Sequence, residues 1–354
     1  MNFFINIEKI LIGERMLELS EDRMESIKTI KKLTEYNDYN LYSIEIKYDY
    51  NIDNVTPIVE GEISDQQMME LTFVDALPGV ELELEIPNYG CSAFTMPNDE
   101  KFLFGRNYDF SFDASALLVR CNPKNGYKSI GFAALNHIYN NNPEISMETK
   151  ALCLISPYIC LDGINEKGLG IAVLTQTSKP TIQKTGKPIL STTVLIRLIL
   201  DKAKTTEEAI KLIKQYDILS LSGRDYHFYI TDKTGDGRVV EFDPEKEERP
   251  MVVTKFKAAT NFYGMYIDKV KPNRVNGIYG KGKERYDSIM DVINNGGNGI
   301  TDVWKALKAS AQDPNPEDIA SNTQWSIAYD LDKLECEIVL RRHWDDILRF
   351  KLNE

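Results

Sequence analysis

Hydrophobic and polar residues alternate along several short stretches of the chain, which is the pattern of a strand with one buried face. The clearest stretch is 80–86, where four aliphatic residues alternate with three glutamates. Residues 41–50 alternate in the same way, and we predict a half-buried strand at each place. The Pro-Asn-Tyr-Gly sequence at 87–90 then predicts a turn, because proline ends a ladder and glycine permits unusual backbone geometry.

Beyond residue 90 the chain is dominated by short apolar runs separated by turn residues, which predicts a strand-rich body. The runs 91–96 and 101–110 flank a Pro-Asn-Asp sequence and are typical of a hairpin. Further strands are predicted at 116–121, 127–135, 168–177, 225–232, 237–243, 257–263, 325–331 and 335–342.

Helical spacing of apolar residues interrupts these strands in three regions. It predicts an amphipathic helix over 14–36 and a pair of helices in the middle of the chain. The second helix of the pair begins at Thr205, with Glu208 placed for reciprocal capping. Two more helices are predicted at 283–294 and 301–310, on either side of a Gly/Asn-rich breaker. This succession favours a layered α+β body over an alternating parallel sheet.

Charge and composition exclude several classes of function. The 354 residues carry 42 Lys and Arg against 54 Asp and Glu, a formal charge of −12, which disfavours nucleic acid and anionic membranes as partners. Three His and five Cys without a paired spacing leave little material for a zinc site, so we expect no metal and no cofactor. The chain shows no signal peptide and no membrane span, so we expect a cytoplasmic protein with reduced thiols.

Cys91 is the strongest candidate for a catalytic residue, because it directly follows Gly90 and begins a predicted strand. A lone cysteine on a strand is ordinarily a small buried hydrophobe, and the sequence GRNYD at 105–109 by itself fits a solvated turn with a surface ion pair as well as it fits a site. The whole stretch 90–110, however, resembles the choloylglycine hydrolase and penicillin V acylase family. In that family a Cys opens the mature chain and a Gly-Arg-Asn-x-Asp sequence ends the next strand.

The resemblance continues downstream, in the family's order, to about residue 350. It is carried by NEKGLGIAVL at 165–174, HFYITDKTGDGRVVEF at 227–242, AATNF at 258–262 and KERYDSI at 283–289. The resemblance implies the N-terminal-nucleophile hydrolase fold, which has four layers (αββα) with two stacked antiparallel sheets. It also implies an enzyme that hydrolyses a linear C–N amide of an N-acylated small molecule, and a homo-oligomer.

Cleavage before Cys91 gives that residue both a thiol and a free amine. An α-amino group has a pKa of about 7.7–8.0, so a neutral fraction exists near pH 7 and serves as the base for the thiol. The resemblance assigns two further residues to this end of the site. Arg106, brought back by the hairpin, favours the thiolate, and Asp109 bonds or orients the α-ammonium group.

Three more positions come from the downstream segments of the resemblance. Asn261 is the candidate oxyanion-hole donor, and Arg285 is a second cation in the site. Read without the family, they are a turn residue at a strand end and an exposed helical arginine. Thr175 stands where bile-salt hydrolases carry Asn and penicillin V acylases often carry Tyr, so we carry over neither substrate.

A nucleophile at position 91 requires removal of the residues before it. We expect 1–90 to be a propeptide or small subunit, cleaved between Gly90 and Cys91, and 91–354 to be the catalytic domain. The layout is similar to that of the isopenicillin N acyltransferase and acid-ceramidase-like relatives, which also cut before Cys. In that scheme the Cys91 thiol attacks the Gly90 carbonyl, which the absence of a Cβ leaves open to approach.

Three alternatives stay open at this point. If the substrate's acyl group forms a thioester with Cys91 and an amine rather than water attacks it, the protein is an acyltransferase. A chain that is never cleaved is a non-catalytic ligand-binding homologue, with 1–90 as an accessory domain. A Cys-His thiol protease using His137, His227 or His343 has no local sequence signature in its favour.

Overall fold

The computed structural model describes residues 8–12, 15–57, 63–78, 80, 89–138, 141–221, 223–274, 277–318 and 320–354. These residues form strands at β1 Glu8–Ile12, β2 Arg15–Leu19, β3 Lys31–Lys32, β4 Leu41–Ile46, β5 Gly90–Asn98, β6 Lys101–Asp109, β7 Ala116–Cys121, β8 Ser129–Ala134, β9 Cys160–Asn165, β10 Leu169–Gln176, β11 Ile189–Ser191, β12 Asp217–Leu219, β13 Asp225–Asp232, β14 Arg238–Phe242, β15 Met251–Lys255, β16 Ala258–Ala259, β17 Thr323–Asp330, β18 Glu335–Leu340 and β19 Leu348–Lys351. The α-helices are α1 Glu21–Lys28, α2 Asp65–Phe73, α3 Met147–Leu152, α4 Thr192–Lys202, α5 Thr206–Ile213, α6 Lys283–Asn294 and α7 Ile300–Ser310.

Two large sheets form the centre of the molecule. The nine-stranded sheet has the order β15-β14-β13-β10-β9-β8-β7-β4-β3, and the six-stranded sheet has the order β16-β5-β6-β17-β18-β19. Every pair in the six-stranded sheet is antiparallel. The nine-stranded sheet is antiparallel except for β4 and β7, which run parallel over six paired positions. Strand β4, which precedes residue 90 in the chain, lies between β7 and the edge strand β3.

The two sheets pack face to face and bury a common core. The ring of Phe104 on β6 lies 6.2 Å from the ring of Tyr229 on β13, centroid to centroid. Helices α4 and α5 pack on β9, β10 and β13, while α6 and α7 pack on the six-stranded sheet. Because each sheet packs one face against the other sheet and one against helices, central strands such as β10 and β13 are buried along their whole length. The result is the four-layer αββα architecture that was expected.

The predicted helix over 14–36 is wrong. That region contains β2, the eight-residue helix α1 and β3, which pairs with β4. Over so few residues, the spacing of apolar positions does not show where a two-turn helix ends and a neighbouring strand begins. Here residues 31–32 are a strand because they pair with β4. The strand predicted at 80–86 lies outside the described residues except for Val80, which is buried.

Several other predictions need adjustment at their ends. The strand expected over 41–50 stops at Ile46, and the one expected over 257–263 is only the two-residue β16. The Thr205 hydroxyl does accept a hydrogen bond from the backbone N–H of Glu208. The Glu208 carboxylate, however, accepts from the N–H of Lys204 at 2.8 Å instead of from that of Thr205. The hairpin of 91–96 and 101–110 is confirmed and is longer than predicted, since it pairs from Gly90 to Asp109.

Candidate active site

The β5–β6 hairpin fixes the position of Cys91 relative to the GRNYD sequence. Its register pairs Gly90 with Asp109, Cys91 with Tyr108 and Ala93 with Arg106. Side chains alternate between the two faces of a strand, so Cys91 and Arg106 share one face while Asp109 lies on the other. The hairpin register therefore places the Arg106 guanidinium on the same face of the sheet as the Cys91 thiol, and the Asp109 carboxylate on the opposite face.

Cys91 is fully buried in the uncleaved chain. Burial raises the pKa of its thiol to about 12, while the neighbouring Arg106 guanidinium acts in the opposite direction and Asp109 adds to the rise. Its backbone N–H donates to the side-chain oxygen Oδ1 of Asn261 at 2.7 Å. The thiol is thus protonated at neutral pH while its nitrogen is already held at a defined place.

Arg106 is fully buried, which rules out the solvated turn as a description of the GRNYD sequence. Its Nε lies 3.3 Å from the carboxylate of Asp162 on β9, and its NH2 donates to the carbonyl of Val173 on β10 at 2.9 Å. The guanidinium therefore bridges the two sheets. Because a buried ion pair that loses one partner leaves an uncompensated charge, this bridge holds Arg106 firmly beside the thiol.

Asp109 is held by a separate set of donors. The Thr323 hydroxyl and the Gln312 amide donate to its two oxygens at 2.6 Å and 2.7 Å, and the Arg285 guanidinium lies at 3.5 Å. In the uncleaved chain these are its hydrogen bonds, whereas the Cys91 nitrogen bonds Asn261. A bond from Asp109 to the α-ammonium group stays a prediction for the cleaved chain.

Asn261 follows β16 and faces the start of β5. Its Oδ1 accepts from the Cys91 nitrogen and from Arg285 NH2 at 2.8 Å, while its Nδ2 donates to the backbone carbonyl of Thr175 at 2.9 Å and to that of Tyr89 at 3.3 Å. One end of the Asn261 side-chain amide faces two donors and the other end faces two carbonyl oxygens, so the first end is the oxygen and the second is the nitrogen. That nitrogen donates to the main-chain carbonyl oxygens of Thr175 and Tyr89, next to the start of β5.

Arg285 lies in the first turn of α6 and is 5% exposed, so it is not the solvent-facing helical residue that its sequence context also allowed. Its NH1 donates to the carbonyl oxygen of Cys91 and, at 3.2 Å, to the hydroxyl of Ser92. Together with the contacts to Asn261 and Asp109, this guanidinium connects the strand of the thiol to the residues around it.

Thr175, the substrate or oxyanion candidate, lies on β10 across the sheet interface from Cys91. Its hydroxyl donates to the backbone carbonyl of Tyr89 at 2.5 Å. It is buried, and it shares that carbonyl with Asn261. The threonine therefore belongs to the same donor group as Asn261.

The reason for a glycine at position 90 is packing. Gly90 is part of β5 and does not have a positive φ, so the predicted turn does not include it and no backbone strain is present there. A Cβ at this position would lie 2.1 Å from the carbonyl oxygen of Ala320 and 3.0 Å from the Asp109 Cβ. Only glycine fits this close approach to a backbone oxygen.

The structure thus brings together all six predicted side chains, Cys91, Arg106, Asp109, Thr175, Asn261 and Arg285. It adds residues that sequence reasoning missed. Asp162 is a carboxylate within the apolar run of β9, and a charge in such a run is a signal that was available. Gln312 and Thr323, which hold Asp109, carry no comparable signal because their neighbourhood depends on how the chain returns after α7.

The histidines are bonded elsewhere. The ring of His137 lies 3.2 Å from the Tyr108 hydroxyl, His227 bonds Glu241 and Gln176, and His343 bonds Tyr39. Burial lowers the pKa of His137 to about 4. Among the residues that the structure describes, no group of three or more His, Cys, Asp or Glu side chains is arranged to hold a metal ion.

Comparison with known proteins decides the family. The family model of linear amide C-N hydrolases, choloylglycine hydrolase family, matches residues 91–268. The chain belongs to the choloylglycine hydrolase family. It is accordingly a hydrolase that acts on linear amide C–N bonds, and the matched region begins at Cys91.

Solved structures show the same fold at low sequence identity. A mutant of conjugated bile acid hydrolase from Clostridium perfringens is 19% identical, with a TM-score of 0.54, and the match covers 74% of this chain and 92% of that one. Penicillin V acylase from Agrobacterium tumefaciens is 16% identical, with a TM-score of 0.53, over 75% of this chain and 87% of that one. No curated protein sequence matches this chain. Among the described residues, no helix is long and apolar enough to cross a membrane.

Proposed function

We propose that this member of the choloylglycine hydrolase family is a cysteine amidase whose nucleophile is Cys91, activated by cleavage of the Gly90–Cys91 bond. The observation that carries the proposal is the contact set around one residue. The Cys91 nitrogen is held by Asn261, its carbonyl by Arg285 and its thiol by Arg106. The main-chain groups of a structural cysteine on a strand are ordinarily paired in the sheet, and its thiol needs no guanidinium beside it.

In the proposed maturation the Cys91 thiol attacks the Gly90 carbonyl carbon. The new C–S bond replaces the C–N bond, and the thiol proton ends on the released Cys91 nitrogen, which becomes the α-amine. Water then cleaves the thioester, leaving a carboxylic acid on Gly90 and a free thiol on Cys91. The buried thiol, with its pKa raised to about 12, supplies little thiolate, so this single-turnover step is slow by comparison with catalysis.

In the proposed catalytic cycle the α-amine takes the thiol proton as the sulfur attacks the substrate carbonyl. The amine half of the substrate leaves with that proton, and water hydrolyses the acyl-thioester to release the acid. The Asn261 side-chain amide stabilises the oxyanion, an effect of about 2.7–4 kcal/mol in comparable hydrolases. Arg106 favours the thiolate from the face that it shares with Cys91.

We further propose that residues 1–90 stay bound after cleavage as a small subunit. Strand β4 contributes six paired positions to the nine-stranded sheet, and apolar side chains from this segment belong to the same core as the catalytic part. The Tyr48 hydroxyl donates to the Leu154 carbonyl at 2.7 Å, a buried contact between the two parts. Separating them exposes that core to water, which disfavours release.

The decisive experiment is intact-mass analysis of the purified chain beside its Cys91→Ala variant. We expect the unaltered chain to yield a fragment that starts at Cys91, and the variant to stay at full length without amidase activity. Cys91→Ser is expected to cleave slowly because a hydroxyl is a weaker nucleophile. Activity from an uncleaved chain, or normal cleavage of Cys91→Ala, contradicts the proposal. Added amine acceptors then separate hydrolysis from acyl transfer by their products.

A further inference from the structure

Tyr89, the second residue before Cys91, is buried in the interior of the candidate site. Its side chain is 1% exposed, and its ring lies 5.3 Å from the ring of Tyr108 and 5.9 Å from that of His137, centroid to centroid. Tyr108 is the residue paired with Cys91 across the hairpin. An aromatic side chain that precedes the cleavage point therefore fills a space beside the nucleophile.

The main chain of Tyr89 occupies the polar half of the same site. Its carbonyl oxygen accepts from the Thr175 hydroxyl at 2.5 Å and from the Asn261 amide at 3.3 Å. These donors are the ones proposed to stabilise a substrate oxyanion, and they are taken in the uncleaved chain by the carbonyl of the Tyr89–Gly90 amide. Carbonyl, donor pair and adjoining aromatic ring together have the arrangement of a bound acyl amide.

The ring also borders a cavity of about 30 Å³. The wall of the cavity includes Tyr89, His137, Val173, Thr192, Ile196 and Tyr226. Two of these, Thr192 and Tyr226, have buried hydroxyls with no hydrogen-bond partner among the described residues. A buried hydroxyl without a partner is destabilising, and a polar group that enters the cavity removes that cost.

Resting on the function proposed above, we propose that the space filled by Tyr89 is the acyl subsite of the cleaved enzyme, and that it takes 3-arylpropanoyl groups. In Tyr89 the ring is joined to the second carbon from the carbonyl, so an acyl group of that length places its ring between Tyr108 and His137 when its carbonyl meets Thr175 and Asn261. A polar substituent on the ring finds the hydroxyls of the cavity wall.

The same geometry makes Tyr89 an internal competitor of the substrate. The contacts of the Tyr89 ring with Tyr108 and His137 do not involve the Gly90–Cys91 bond, so the subsite opens only when Tyr89 leaves it. Removing the ring by Tyr89→Ala therefore raises kcat/KM for a substrate whose own ring takes the vacated space.

The test uses the full chain, with cleavage verified by intact mass, and amides of one reporter amine with acetyl, hexanoyl, 3-phenylpropanoyl and 3-(4-hydroxyphenyl)propanoyl groups. We expect both aryl amides to exceed the acetyl amide by about 10- to 100-fold in kcat/KM, the effect of burying one aromatic ring, and to exceed the hexanoyl amide by a smaller factor because its chain fills part of the same space. The hydroxyphenyl amide is expected to equal or exceed the phenyl amide. Tyr89→Ala is compared with Phe112→Ala, a matched loss of an aromatic ring that is 64% exposed.

A hexanoyl amide that equals or exceeds both aryl amides, with Cys91 cleaved and active, overturns the acyl assignment and leaves the amidase function intact. An unchanged or lower kcat/KM for aryl amides in cleaved Tyr89→Ala also overturns it. If cleaved enzyme hydrolyses no amide and iodoacetamide labels no thiol at Cys91, the proposed function itself fails, and this inference fails with it.

Discussion

Replacing Gly90 by alanine tests whether packing against Ala320 positions the bond that is cleaved. The added Cβ would lie 2.1 Å from the Ala320 carbonyl oxygen, a backbone atom that no side-chain rotation removes. Ordinary van der Waals contact begins near 3.4 Å, so relief requires a displacement of 3.4 − 2.1, about 1.3 Å. Overpacking of this kind costs about 1–3 kcal/mol of folding free energy.

The displacement falls on the residue whose carbonyl carbon the thiol attacks. Since a misplacement of about 1 Å lowers the rate of a positioned reaction about 100-fold, we expect Gly90→Ala to cleave at least about 100-fold more slowly than the unaltered chain. The assay is the fraction of full-length chain against time, measured by intact mass, with urea unfolding of each variant.

Gly186→Ala is the matched control. Gly186 has a φ of +87°, and a Cβ added there would meet nothing within 4 Å, so alanine costs about 1–2 kcal/mol through backbone strain alone. We expect it to lose stability and to cleave at the normal rate. Cleavage of Gly90→Ala within threefold of normal refutes the reasoning, because the 2.1 Å approach then has no influence on the bond.

The remaining predictions concern the pH dependence, the oxyanion donor and the base. Because burial raises the pKa of the Cys91 thiol to about 12, the fraction of thiolate increases throughout pH 6–9. The rate of self-cleavage should therefore increase about tenfold per pH unit over that range. A rate that stays constant above pH 7 contradicts this prediction. Asn261→Asp keeps the acceptor for the Cys91 nitrogen but removes the donor, so kcat should fall about 10²- to 10³-fold in steady-state assays; a fall of less than threefold excludes the oxyanion role. Single replacements His227→Gln and His343→Ala should each retain turnover, and its loss in a folded variant would identify a histidine base.

Much of the fold follows from local patterns that the chain carries in its sequence. Two apolar runs, 91–96 and 101–110, on either side of a Pro-Asn-Asp turn predict the hairpin, and the hairpin register in turn places Arg106 on the same face as Cys91. Helices α6 and α7 begin and end close to their predicted limits. In each, apolar residues recur at helical spacing along the whole helix, and glycine or proline lies near its ends. The opening region was predicted poorly, since the short elements around α1 depend on a partner strand rather than on local spacing.

The sequence alone determined the hairpin, the nucleophile candidate and the glycine before it, because each depends on residues near one another in the chain. Tertiary structure decided the rest of the site. Asn261 and Arg285 reach Cys91 only because β16 pairs with β5 and α6 packs on the same sheet, about 170 and 194 residues further along the chain. The burial that raises the pKa of the thiol and the place of Tyr89 beside it also depend on two sheets closing together, which no local spacing encodes.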